Sequence, residues 1–274
     1  TGGIDIDLES LPLDFFIYND FETRLSQIEN IEKRSRFNVL FNYKILNGLE
    51  VYNDLEFYNQ GLFYNDDNFV VNSTYYENIF LNDSFTSDSV KLKTFNNRVG
   101  LKGSVKNLKY NIFANYRNVG FRYTTYSNLT SINRFYLGGN IGYFKNNIKI
   151  QGDLKIKSSG DYSLKGILNI GLLNVSYYSS LHEPSIYLNR YSSNHHSWEN
   201  DFKSSFINVL DSRLSLSNDN ISFEPFLKIV SISDHIYISE DKVPIQFEDI
   251  IVNNQIGIDL KIRLFNKMIN LDNK

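Results

Sequence analysis

The chain is 274 residues and 31.9 kDa, with 42% hydrophobic residues, 19 Tyr, 21 Phe, no Cys and a mean hydropathy of −0.32. Absent cysteine excludes disulfide frameworks, thiol nucleophiles and Cys-rich zinc sites, and no stretch approaches the roughly 18 apolar residues of a membrane-spanning helix. A transmembrane barrel is not excluded, because it hides its apolar residues at every second position. Its average can therefore be hydrophilic.

The first expected element is a short, weakly amphipathic helix over residues 22–33. Alternation of period two follows. Phe37, Val39, Phe41, Tyr43 and Ile45 share one parity against Arg36, Asn38, Asn42 and Lys44, and Val51, Leu55 and Phe57 oppose Glu50, Asp54 and Glu56. The pattern is cleanest from about residue 97. Val99, Leu101 and Val105 oppose Arg98 and Lys102; after a turn at Lys106-Asn107, Tyr110, Ile112, Ala114 and Tyr116 oppose Lys109, Asn111, Asn115 and Arg117. Val119, Phe121 and Tyr123 oppose Arg122, and Phe135, Leu137 and Ile141 oppose Arg134. The turn Lys145-Asn146-Asn147 suits a tight hairpin, since Asn tolerates positive φ. Ile148, Ile150, Leu154 and Ile156 then oppose Lys149, Gln151, Lys155 and Lys157, and Leu164, Leu168 and Ile170 follow beside Lys165. Later strands run through Ile221–Ile229 and Ile256–Leu264.

With only four Pro and no linker rich in Pro, Gly or Ser, the chain reads as one domain over 1–274, a single antiparallel sheet. Roughly 14–16 strands of about ten residues hide their edges best by closing into an up-and-down transmembrane β-barrel. One parity faces lipid. The other is too rich in Lys, Arg, Asp, Asn and Gln for a protein core and suits the wall of a water-filled lumen. Tyr43, Tyr110, Tyr116, Tyr123, Tyr143, Tyr162, Tyr177 and Tyr178 are candidates for an aromatic girdle.

A net charge of −3 conceals a segregated distribution. Basic residues number five against sixteen acidic over 1–90, fourteen against two over 91–165, and nine against thirteen over the rest. The basic block lies on polar parity, so it reads as a pore wall rather than a nucleic-acid footprint. Candidate pore-lining residues are Arg98, Lys102, Lys106, Lys109, Arg117, Arg122, Arg134, Lys149, Lys155, Lys157 and Lys165, with Glu50, Asp54, Glu56, Glu224 and Asp259 on more acidic walls. Such opposed walls set up a transverse field that orients small charged solutes.

The stretch from Ser180 to Phe202 holds Pro184, Tyr191, Asn194, His195, Trp198, Asn200 and Phe202. This order of a Pro, a Tyr, a Ser-Asn-His and a Trp-x-Asn-x-Phe resembles the outer-membrane porins of Bacteroidota. Gly2-Gly3-Ile4, and Tyr75-Tyr76-x-Asn78 with Asp88-Ser89 and Asn96-Asn97, are similar to the family's early elements. The resemblance implies a channel in the outer membrane. Members are longer, so this chain is expected to be an internal portion, truncated at both ends, without export signal or terminal aromatic strand.

Other motifs carry less. His195 and His196, adjacent on a strand, point to opposite faces and cannot chelate from one side without a turn; a hydrogen-bonding role in the loop before Trp198 is the better reading. Gly138, Gly139 and Gly142 sit inside a strand with no helix following, which suits tight packing rather than phosphate binding. Asp66-Asp67, Glu240-Asp241 and Glu248-Asp249 read as solvated turn charge, so no catalytic residue, cofactor or metal is expected. The partners expected are outer-membrane lipid and small hydrophilic solutes, not nucleic acid; oligomer number is left open. Two alternatives stand beside passive diffusion: a plugged receptor, transporter or secretion scaffold barrel, and a secreted glycan-binding β-sandwich.

Overall fold

The computed structural model describes residues 28–68, 76, 78–124, 130–218, 220–264 and 267–273. Gly2-Gly3-Ile4, Tyr75 and residues 22–27 of the expected helix lie outside them. Residues 28–33, expected as its second half, instead begin a strand. Paired with 61–66 of the next strand, these residues place Ile28 and Ile31 on opposite faces, so the three-residue spacing that suggested a helix marks no single face here.

The order is β1 (Ile28–Leu46), β2 (Leu49–Asp66), β3 (Thr86–Val105), β4 (Leu108–Tyr123), β5 (Thr130–Lys145), β6 (Ile148–Lys157), β7 (Tyr162–Ile170) and β8 (Leu173–His182). A single helical turn, α1 (Ile186–Asn189), and a small hairpin of β9 (Arg190–Ser192) and β10 (Ser197–Glu199) come next. The chain continues through β11 (Ser205–Leu214), β12 (Leu216–Ser217), β13 (Ile221–Ile238), β14 (Pro244–Leu264) and β15 (Lys267–Asn273). Every neighbouring pair in the main sheet is antiparallel, in the path β1-β2-β3-β4-β5-β6-β7-β8-β11-β13-β14-β15, with β12 beside β13. Among the described residues the sheet is open between β1 and β15.

Tight turns join strands at one end. Lys106 (φ 54°), Asn146 (φ 50°) and Gly48 (φ 84°) supply the left-handed conformation that such two-residue hairpins need. At the other end β2 finishes at Asp66 and β3 begins at Thr86, and the longer connection 183–204 leaves β8 there. In outer-membrane barrels short turns face the periplasm and long loops the exterior, which orients the sheet.

Register separates two faces. One row runs Phe41, Asn53, Val99, Ala114, Leu137 and Ile156. The opposite face carries Asp54, Arg98, Asn115, Tyr136 and Lys157 in one row. Large apolar side chains lie bare on the first face, with Ile112 65% and Leu137 57% exposed. Two asparagines on this face satisfy one another: Asn53 Nδ2 donates to Asn97 Oδ1 at 2.6 Å.

The strands are not uniform. β6, β7, β8 and β11 have nine or ten residues, but β1 to β5, β13 and β14 have 16 to 21, longer than the expected ten. On β3 the apolar outer residues run from Phe95 to Val105, about 33 Å of strand and roughly 25 Å of height at a 40° tilt, which matches the lipid-facing band of such barrels. Above Phe95 the sign of the alternation inverts. Lys93, Lys91 and Ser89 point outward, while Val90 and Leu92 point inward. With Phe121, Tyr123 and Ile132 they form an apolar core on the inner face, packed against Ile186, Tyr187 and Tyr191.

Candidate pore wall and the segment folded onto it

Most of the sequence-singled cations lie on the inner face. The Arg98 guanidinium stacks on the Phe113 ring at 4.7 Å, and Lys155 lies 4.1 Å over Tyr136. Phe113 crosses Gly138, where a Cβ would come within 2.6 Å of the ring and 2.8 Å of the Leu154 carbonyl oxygen, so the glycine lets the ring lie flat beneath Arg98. Arg117 and Arg134 are directly opposed cross-strand partners. Lys109 lies over Phe144 at 5.5 Å, Lys149 pairs in register with Asn169, and Lys165 faces Asp153.

The acidic residues share that face. Glu50 lies 3.7 Å from Lys102, Glu56 is 2.8 Å from Arg36, and Asp54 accepts from Asn38 at 2.6 Å. Glu224 and Asp259 are direct partners across β13 and β14. Arg213, which sequence reasoning missed, reaches Asp259 at 3.3 Å and lies over Phe226. Its strand escaped notice because inward Ile207 and Val209 spoil the alternation. Among the described residues no carboxylate lies within ion-pair distance of Arg98, Arg117 or Lys155. The buried Nε atoms of Arg98 and Arg117 have no hydrogen-bond partner.

Four expectations need correction. Arg122 points outward, because Val119, Phe121 and Tyr123 take the inner positions above the lipid band. Lys106 occupies the turn and lines no wall. Tyr123 and Tyr178 leave the girdle for the inner face: Tyr123 is 2% exposed and donates to the Arg190 carbonyl. Asp66 is fully buried, not solvated, and accepts from Tyr76 Oη at 2.6 Å and the Asn68 amide at 2.9 Å. Burial, with the Asp66 and Tyr64 hydrogen bonds, pushes the Tyr76 phenol far above the usual tyrosine range.

The segment 183–204 does not project away from the sheet. It folds onto the inner face at the loop end of β3 and β4. Pro184 is buried at its start. Tyr191 meets Tyr123 edge-on at 5.5 Å and stacks on Trp198 at 4.8 Å; the indole donates to the Tyr187 carbonyl at 2.8 Å, and Asn200 Nδ2 donates to that of Leu188 at 3.1 Å. Phe202 is half-buried near the exit. Asn194 is the central tie. Its Oδ1 accepts from the Leu81 and Asn82 amides at 2.9 Å, its Nδ2 donates to the Asn82 carbonyl and to Thr86 Oγ1, and its backbone N–H donates to Asp88 at 3.0 Å. His195, 6% exposed, donates from Nδ1 to the Asn78 carbonyl at 2.9 Å, has Nε2 2.6 Å from the Thr86 hydroxyl, and stacks on Tyr76.

Both ends of the segment are fastened. Glu183 pairs with Arg134 and Lys157; Lys157 also reaches Asp161 at 3.1 Å, and Ser204 Oγ donates to Asp161 at 2.8 Å. Burial works against the Asp161 charge, but hydrogen bonds from Ser204, Ser159 and Lys157 hold its carboxyl below the usual carboxylate range. Beside the segment lies a cavity of about 550 Å³ lined by Leu62, Tyr64, Tyr76, Asp88, Tyr191 and His195.

A family profile described as "Putative porin" matches residues 2–274. The chain belongs to this porin family. No curated protein matches it in sequence. Its strand arrangement is similar to that of a solved "Copper transporter OprC", at 10% identity and a TM-score of 0.61, over 86% of this chain and 44% of that one. It is also similar to the FrpB iron transporter of Neisseria meningitidis, at 11% identity and a TM-score of 0.52, over 86% and 43%. At these identities the likeness concerns the fold alone. The porin-family chain spans less than half the length of either structure. Family and fold together assign an antiparallel outer-membrane barrel sheet.

Proposed function

We propose that the protein passes small hydrophilic solutes passively across the outer membrane and favours anions. The observation that carries this reading is the inner wall: among the described residues Arg98, Arg117 and Lys155 share the inner face with no carboxylate in ion-pair distance, and the Glu50, Asp54 and Glu56 wall of β2 begins on the neighbouring strand, where Asp54 sits across from Arg98 in register. Fixed charges on a low-dielectric frame bias which solutes enter. The fastened segment 183–204 narrows the path on the side where it packs.

The test is reversal potential in planar bilayers under a KCl gradient, using the full-length protein. Wild type is expected to conduct and favour Cl⁻, and Arg98→Gln/Lys155→Gln is expected to shift the potential toward K⁺. An unchanged potential contradicts the sorting role, and absent conductance contradicts the open channel. A second reading is an uptake barrel whose lumen is closed by the inner segment, favoured by the fold shared with two transporters. It is the reading that absent conductance would support.

A further inference from the structure

On the outer face, above the lipid band, the structure carries a feature the channel reading does not use. Cross-strand register aligns Lys33, Gly61, Lys91 and Arg122 in one row over β1 to β4, with Lys93 in the row below. Strand spacing makes the row about 14 Å wide. The residue without a side chain is covered by its neighbour: Phe63 lies over Gly61, and Lys33 and Lys91 hold their Nζ atoms 5.5 and 5.6 Å from the Phe63 ring. A depression of about 370 Å³ opens there, bordered by Lys33, Ser35, Asn59, Phe63, Lys91 and Lys93. Among the described residues none of the four cations forms an ion pair. The carboxylate on the same face of β1, Glu29, accepts from Asn65 one row beyond Phe63.

Height gives the patch its meaning. Directly below it an aromatic row runs Phe37, Phe57, Phe95 and Tyr116, with ring centroids 6.4, 5.0 and 6.3 Å apart in turn. Such rows mark the membrane interface. Lys91 lies four residues above Phe95, about 13 Å along the strand, and therefore at headgroup height on the exterior side.

We propose that this patch binds the phosphorylated saccharide headgroup of an outer-leaflet glycolipid. Four unpaired cations over about 14 Å suit more than one phosphate, and the outward Ser35, Asn59 and Ser89 supply hydrogen-bonding groups for sugar hydroxyls. The patch also accounts for Arg122, a cation that would otherwise face outward to no purpose.

The test is lipid retention by the full-length protein in detergent, read by native mass spectrometry. The probes are diphosphorylated lipid A, its dephosphorylated form and phosphatidylglycerol. Wild type is expected to retain diphosphorylated lipid A above the other two. Lys91→Gln/Arg122→Gln is expected to weaken retention about 25-fold, near fivefold per charge. Adding Lys33→Gln and Lys93→Gln should weaken it further, with unchanged heat-modifiable gel mobility as the folding check. Equal retention by wild type and the folded double variant would overturn the site. Phosphatidylglycerol held as strongly as lipid A would overturn the glycolipid assignment.

Discussion

The turn end and the loop end of the sheet use the same two-residue period with opposite sign. At the turn end Ile148, Ile150, Leu154 and Ile156 face outward while Lys149, Gln151, Lys155 and Lys157 face inward. At the loop end Lys91, Lys93 and Arg122 face outward while Val90, Phe121 and Tyr123 face inward. Nothing in the backbone distinguishes the two. The solvents have changed places. Below the Phe37–Phe95 row apolar side chains lie outside and charged ones inside, as lipid outside and, on the proposed channel reading, water inside require; above it the charged side chains lie outside and the segment 183–204 covers the inside. Period alone therefore assigns residues to faces, and only the level along the strand says which face is wet.

The largest effect should come from removing the inner cover. In Asn194→Ala the amides of Leu81 and Asn82 lose their buried acceptor and Thr86 keeps only its bond to His195, at a cost of about 3 kcal/mol or more. Limited proteolysis is expected to cut within 183–204 while the strands survive, and conductance is expected to become larger or noisier. Resistance equal to wild type would mean the loop end needs no cover.

A smaller effect comes from acid. The folded Asp161 carboxyl sits below its usual range, so its contribution is complete above the ordinary value of about 3.9 and is lost as pH falls through the lower folded value. Protonation loosens Lys157 and Ser204, and with them the exit of the segment. The fluorescence of Trp198, the single tryptophan of the chain and part of the segment, is expected to stay constant down to about pH 4 and to change only below it. A fluorescence change already under way near pH 6 would point to a different fastening.

Much of this was legible in the sequence at the turn end. The hairpins at Lys106-Asn107 and Asn146-Asn147, the lipid-facing residues and the inner cations all follow from alternation and turn chemistry. The loop end was not legible in the same way. Arg122 and Tyr123 were each assigned the wrong face, because apolar was equated with lipid-facing along the whole strand. Asp66 reads as turn charge in sequence because its partner Tyr76, ten positions further on, follows no strand or turn spacing and meets it only in the fold. The family-like residues 184–202 stood out as a motif. Their meaning, a folded cover tied through Asn194 and His195 to residues more than 100 positions earlier, needed tertiary structure.

The central claim is that polarity inverts between two levels of one sheet, and a protein without cysteine allows it to be read residue by residue. Single cysteines at 149, 150 and 151 and at 90, 91 and 93 would be labelled with a membrane-impermeant maleimide in bilayer-inserted protein. Labelling is expected at 149 and 151 but not 150, and at 91 and 93 but not 90: inner positions wet at the lower level, outer positions wet at the upper. Even-numbered 90 labelling in preference to 91 and 93 would contradict the account, since it would place water on the same face from one end of the strands to the other.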